Sequence, residues 1–202
     1  MRDRGGGRTG GRVLRRLAYI GLGSNLDGPM GQVVRALEEL ARWGPLRSSA
    51  LYRTEPLGDL RQPWYVNAVA ELVTGAEPEA LLARLKAFER RAGRDPGGVR
   101  WAPRVLDLDL LLLGDLVLDS PELTLPHPGL RTRRFVLEPL AELSPRLRDP
   151  RDGSSLSERL RTLDDPLRVE KLQRANAPGT GASRDSSAAG ARGPGLPEVQ
   201  QR

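Results

Sequence analysis

The chain has 202 residues, 38% of them hydrophobic and 29% charged, with a formal net charge of +6, no Cys and a single His, His127. That length suits one domain with a real core and hardly two; without Cys there are no disulfides, thiolate nucleophiles, Fe–S clusters or Cys-held zinc, and with one His there is no multi-His site, so a bound metal would rest mainly on oxygen. The positive charge does not belong to a folded face: residues 1–16 carry +5 and residues 171–202 carry +3, leaving −2 for residues 17–170, so specific nucleic-acid binding, which needs a basic face, is not expected.

Residues 1–12 hold five Gly and four Arg, and 17 of the 23 residues from Ala175 to Pro197 are Ala, Gly, Ser or Pro. Neither stretch can bury enough apolar surface to offset the entropy of ordering it, so residues 1–16 and 171–202 are expected to be disordered tails around one domain, 17–170. Arg15-Arg16 ahead of Leu17–Ile20 has the outline of an export signal, but the apolar stretch is short, contains Gly21 and Gly23 and has no cleavage site. No apolar run nears the ~20 residues that span a bilayer, so a cytoplasmic protein with no membrane partner is expected.

Leu17–Leu22 reads as a strand. Pro29–Trp43 reads as a helix, with Val33, Val34, Leu37, Leu40 and Ala41 at helical spacing, Pro29 in the first turn and Gly44-Pro45 as the stop. Arg47–Arg53 is a strand of mixed polarity and Glu55–Pro63 a loop. Trp64–Thr74 alternates, with Tyr65, Asn67, Val69, Glu71 and Val73 on one face, and is a strand. Pro78–Arg91 is a second helix with Leu81, Leu82, Leu85 and Phe88 on one side. A Gly/Pro-rich loop, Gly93–Pro103, leads into a strand, Val105–Leu113, for which Leu116–Leu118 is a candidate partner across the Gly114-Asp115 turn. Arg134–Leu143 and Ser155–Leu163 read as short helices, the second capped by Ser154 or Ser155. The order β-α-β-β-α-β is that of a ferredoxin-like α+β sandwich: one antiparallel sheet, two helices on one face, the other face free for a ligand.

The sharpest chemical feature is Asp107-Leu108-Asp109. Alternation along a strand points both carboxylates to one face, about 6–7 Å apart at Cα, where they repel each other and resist desolvation. Either Arg side chains neutralise them in a structural ion cluster, or they hold one or two Mg²⁺, which suits hard oxygen donors. Before them come Arg91, Arg94, Arg100 and Arg104 with Trp101, either a solvated basic loop or the phosphate-binding side of a nucleotide site. His127 sits between two prolines beside Arg131, Arg133, Arg134 and Phe135. Gly21-x-Gly23-x-x-Leu26 lacks the third Gly of a dinucleotide fingerprint, and Gly23-x₄-Gly28 is followed by Pro29-Met30 rather than Lys-Ser/Thr, so Gly21–Asn25 is read as a strand-to-helix turn.

Five blocks occur in a telling order: Ala18-Tyr-Ile-Gly-Leu-Gly-Ser-Asn-Leu26, Tyr52-Arg-Thr-Glu-Pro-Leu-Gly58, Gln62-Pro-x-Tyr-x-Asn67, Arg100-Trp-Ala-Pro-Arg-Val-Leu-Asp-Leu-Asp109 and Leu123-Thr-Leu-Pro-His127. Together they resemble the 6-hydroxymethyl-7,8-dihydropterin pyrophosphokinase family over about residues 17–165. The resemblance implies an ATP-dependent diphosphotransferase of folate biosynthesis that carries the β,γ-diphosphoryl group of ATP to the pterin hydroxymethyl oxygen and releases AMP. It implies two Mg²⁺ on Asp107 and Asp109, and a pterin site of Thr54, Glu55, Leu57, Tyr65, Asn67 and Phe135. Nucleotide positions are Glu89, Trp101, Leu110, Thr124, His127 and Arg133, and Arg94, Arg104, His127 and Arg133 spread the developing charge. ATP and the hydroxymethylpterin are the expected partners, and a monomer is expected. Pro96, Ala102, Glu122 and Pro128 differ from the family's usual residues and bear on nucleotide affinity and loop timing. The rival expectation is a ferredoxin-like small-molecule-binding module without catalysis.

Overall fold

Proline opens both long helices, where the missing N–H costs nothing and φ is already helical: Pro29 begins α1 (Pro29–Ala41) and Pro78 begins α2 (Pro78–Arg91). The computed structural model describes residues 14–57, 61–93 and 102–174. Around the two helices, β1 (Arg16–Ser24), β2 (Leu46–Ser48), β3 (Ala50–Thr54), β4 (Tyr65–Thr74), β5 (Asp107–Leu113) and β8 (Val169–Arg174) form one antiparallel sheet. Its order is β5-β1-β4-β3-β8, with β2 also paired to β4. Two short strands, β6 (Leu118–Asp119) and β7 (Thr124–Leu125), pair with each other, and α3 (Arg134–Leu143) and α4 (Leu156–Thr162) complete the chain. Among the described residues no helix is long and apolar enough to cross a membrane.

The alternation of the central strands sorts their side chains into two sets. Ile20, Leu22, Ala68, Leu72, Leu108 and Leu110 face α1 and α2, meeting Val33, Leu37, Leu40, Leu81 and Leu85 in the main core. On the opposite face Tyr19, Val69, Leu111 and Leu112 meet Val136, Leu137, Leu140 and Leu143 of α3, with Leu156 of α4. The opposite face is therefore not left free, as the helix count alone suggested: α3 and α4 cover one half of it, because α3 carries its own apolar stripe.

Four further differences have local causes. The expected strand 47–53 is divided into β2 and β3 at Ser49, whose hydroxyl accepts the Val69 N–H at 3.0 Å. Leu116–Leu118 does not pair back across the Gly114 turn; β6 pairs with β7 instead. The Gly21–Ser24 stretch is strand rather than turn, paired to β4 and β5 on its two sides. β8, on which residues 171–174 lie, was not expected; it pairs with β3, so the folded chain passes the boundary drawn at residue 170.

Candidate active site

A cavity of about 260 Å³ opens on the uncovered half of that second sheet face. Its floor is made by absence. Gly21 and Gly23 of β1 stand opposite Asp109 and Asp107 of β5, and Gly23 is also opposite Asn67 of β4. A Cβ at Gly23 would lie 2.8 Å from Asn67 Oδ1, closer than real Cβ contacts allow. Leu108 and Leu110 turn into the core while Asp107 and Asp109 line the cavity, so the two carboxylates do share a face.

Around this floor the fold gathers Thr54, Glu55 and Leu57 from the end of β3, Tyr65 and Asn67 from β4, Arg104 ahead of β5, His127, and Arg133 and Phe135 at the start of α3. Asn67 Nδ2 donates to Thr54 Oγ1 at 2.6 Å, and both residues are almost fully buried. Arg104 donates to Asp107 Oδ2 at 2.6 Å. Burial works against the Arg104 charge, and the adjacent Asp107 outweighs it, so the pKa of the guanidinium is raised. Among the described residues the Asp109 carboxylate accepts no hydrogen bond; its nearest cation is the Lys86 ammonium, 3.7 Å away. His127 Nδ1 accepts the Gly129 N–H at 3.1 Å, which leaves the ring proton on Nε2. Burial pushes the His127 pKa down; Asp109 and Asp107 oppose this and Arg133 and Lys86 reinforce it.

Three expected nucleotide contacts do not line the cavity. Leu110 is 2% exposed within the main core, because strand parity turns it away from the aspartates. Glu89 is 1% exposed, and its carboxylate accepts the Leu108 N–H at 2.6 Å and the Lys86 ammonium at 2.9 Å. Thr124 lies in β7, opposite Asp119. Arg94 and Trp101 lie outside the described residues, as do Pro96 and Arg100.

Two residues that the sequence did not single out organise the site. Lys86 donates to the Leu108 carbonyl at 2.9 Å, so Lys86 and Glu89 together satisfy the outward C=O and N–H of the residue between the two aspartates. β5 is an edge strand, and helix α2 supplies there what a neighbouring strand would. Lys86 is one of only two Lys in an Arg-rich chain, and that rarity was a usable signal. Asn25, 2% exposed, accepts the Arg104 N–H on Oδ1 at 2.7 Å and donates from Nδ2 to the Pro63 carbonyl at 3.2 Å. It ties together the two segments that approach the cavity from opposite sides; nothing in its local sequence announces this.

Among the described residues no cluster of three or more His, Asp or Glu could hold an ion by itself. Two carboxylates on one wall, one of them without a hydrogen bond, fit an ion whose remaining ligands come with it. Mg²⁺ commonly binds this way, through one or two carboxylates plus phosphate and water oxygens.

A sequence model of the 7,8-dihydro-6-hydroxymethylpterin-pyrophosphokinase (HPPK) family matches residues 19–145. A 2-amino-4-hydroxy-6-hydroxymethyldihydropteridine pyrophosphokinase of Pseudomonas aeruginosa is 47% identical over 145 residues, covering 70% of this chain and 88% of that one. The protein of the same name from Haemophilus influenzae is 41% identical over 130 residues, covering 63% and 81%. Among solved structures, an HPPK-DHPS in complex with substrates superposes with a TM-score of 0.58 at 13% identity, over 74% of this chain and 43% of that one. Plasmodium falciparum HPPK-DHPS with pteroate gives 0.57 at 13% identity, over 73% and 42%. The chain thus spans less than half the length of these structural neighbours, which share its fold.

Proposed function

The chain belongs to the HPPK family, and we propose that the glycine-floored cavity is where it carries out that family's reaction. The enzyme transfers the diphosphoryl group of ATP to the hydroxymethyl oxygen of 6-hydroxymethyl-7,8-dihydropterin, giving the pterin diphosphate and AMP, a step of folate biosynthesis. The observation that carries the placement is that Asp107 and Asp109 share one cavity with the aromatic and amide side chains of Tyr65, Phe135 and Asn67.

The pterin enters on the side of Thr54, Leu57, Tyr65, Asn67 and Phe135. Two aromatic rings suit the faces of a flat bicycle, and the Thr54–Asn67 pair meets its polar edge. The triphosphate occupies the side of Arg104, His127 and Arg133. Mg²⁺, two ions in our reading, would be held by Asp107 and Asp109 and would supply charge neutralisation across the phosphates. Arg104 holds Asp107 in the substrate-free protein; once that carboxylate is engaged, its guanidinium is released at the cavity rim for phosphate. A neutral His127 donates from Nε2 without adding charge, and Arg133 beside it takes the developing negative charge. Orientation of the attacking hydroxyl by the pterin pocket supplies much of the rest.

We read the β5-β1-β4-β3 core with α1 and α2 as ferredoxin-like, extended by β8 into one pyrophosphokinase domain. We read the enzyme as a monomer. The test is to mix the protein with ATP, Mg²⁺ and 6-hydroxymethyl-7,8-dihydropterin: AMP is expected in step with pterin diphosphate. ADP as the product would overturn the reading.

A further inference from the structure

The strongest unassigned arrangement lies beyond the family match, which ends at residue 145. Arg168 precedes β8 and is bound to Glu55 three ways. The Glu55 N–H donates to the Arg168 carbonyl at 3.2 Å. The Arg168 N–H and Nε–H donate to the two Glu55 carboxylate oxygens, each at 3.0 Å. The same guanidinium lies 5.2 Å from the centre of the Trp64 ring, over which Arg53 sits at 4.4 Å. β-pairing of Val169 with Thr54 continues the attachment.

Glu55 is the first residue after β3 and Trp64 the last before β4. Glu55 lines the pocket between Thr54 and Leu57, and Trp64 directly precedes the lining residue Tyr65. Arg168 therefore joins the two chain segments that carry the proposed pterin contacts. We infer that Arg168 is a positioning residue for the pterin side of the active site, acting through Glu55 and Trp64; this rests on the assignment of Thr54, Tyr65 and Asn67 to the pterin.

Arg168 is 68% exposed, so its ion pair adds little to global stability. Its effect is local. A guanidinium stacked on Trp64 and paired with Glu55 limits how far the two segments can separate, and small displacements of binding groups carry large kinetic penalties.

The experiment is steady-state kinetics on the full chain. Arg168→Ala should raise KM for the pterin about fivefold, with KM for ATP and kcat changed by less than about twofold. Trp64→Leu should move the pterin KM in the same direction. In a Glu55→Ala background, Arg168→Ala should add less than its rise in the parent, since only the Trp64 contact remains to be lost. An unchanged pterin KM in Arg168→Ala overturns the inference, as does an equal rise in both KM values or a full additional rise in the Glu55→Ala background. Asn67→Ala separates the two levels. If it raises the pterin KM and Arg168→Ala does not, the inference fails alone; if neither does, the pterin assignment fails with it.

Discussion

One face of the sheet holds two regions built on the same strands. In the half under α3, β1 presents Tyr19, β4 presents Val69 and Glu71, and β5 presents Leu111, and all are buried. In the open half the same strands present Gly21 and Gly23, Asn67, and Asp109 and Asp107. Glu71 in the covered half and Asp109 in the open half are carboxylates in opposite states. Glu71 accepts from Tyr19, Ser144 and twice from Arg47, at 2.9 to 3.0 Å. Asp109 faces the cavity, and among the described residues its one ion pair is with the Lys86 ammonium at 3.7 Å. The covered half spends its polar groups on holding α3 in place, and the open half leaves a carboxylate whose best partner is a ligand.

The largest expected effect tests the open half. Asp109→Asn should lower turnover about a thousandfold, while the pterin, followed by its own fluorescence, still binds and the protein melts no lower than the parent. Divalent-ion binding in the presence of a non-hydrolysable nucleotide should weaken in parallel. Near-normal turnover would mean that the two aspartates form a structural ion cluster. Next comes the floor. Gly23→Ala puts a methyl 2.8 Å from Asn67 Oδ1, and displacing that amide should raise the pterin KM about ten- to a hundredfold. Gly21→Ala on the same floor has Leu111 side-chain carbons as its nearest contacts, at 3.5 to 3.7 Å, and should cost less. Equal losses at both would show that volume, not the Asn67 position, sets pterin affinity.

The covered half should respond in stability rather than kinetics. Glu71→Ala leaves the Tyr19 and Ser144 hydroxyls, 3.1 Å apart, with only each other, and should cost about 2 kcal/mol, a fall of about 4–8 °C in melting temperature, with both KM values unchanged. A selective rise in the pterin KM would mean that the two halves are mechanically coupled through α3, whose first turn carries Phe135.

Much of this division was legible from residue type. Proline starts and 3.6-residue spacing located α1, α2 and α3 to within a turn, and period-two alternation put the aspartates on one face. The same parity already separated Leu110 from Asp109; the family pattern named the position, but strand geometry says which way its side chain goes. Other features were illegible because they exist only in three dimensions. β8 has two apolar residues that do not alternate, Val169 and Leu172, and it is held by pairing to β3 across a register shift at Leu51/Tyr52 rather than by burial. Asn25 looks like any turn Asn until Pro63 and Arg104 are brought to it. Glu89 looks like a surface acid on α2 until the free edge of β5 arrives to donate its N–H. The open half is where local rules fail most, since glycine within β1 and paired acids in β5 are poor choices for a strand and suitable ones for a site.

The smallest effect concerns His127, at the boundary between the halves. Burial lowers its pKa, with Arg133 and Lys86 reinforcing the shift and Asp109 and Asp107 opposing it. A histidine whose folded pKa lies below its unfolded value of about 6.5 binds a proton more readily when unfolded. Its contribution is therefore fully present above pH 6.5 and is lost as pH falls through the folded pKa. The substrate-free enzyme should melt at lower temperature as pH drops below 6.5, and His127→Gln should flatten that slope. The carboxylates with lowered pKa, among them Glu142 beside Tyr52 and Lys171, and Asp152 beside Ser154, act only at still lower pH. A slope between pH 6.5 and 5.5 that survives in His127→Gln would place the titrating group elsewhere. A slope that reverses would mean that Asp109 outweighs burial, and that the open half holds a charged imidazolium even without substrate.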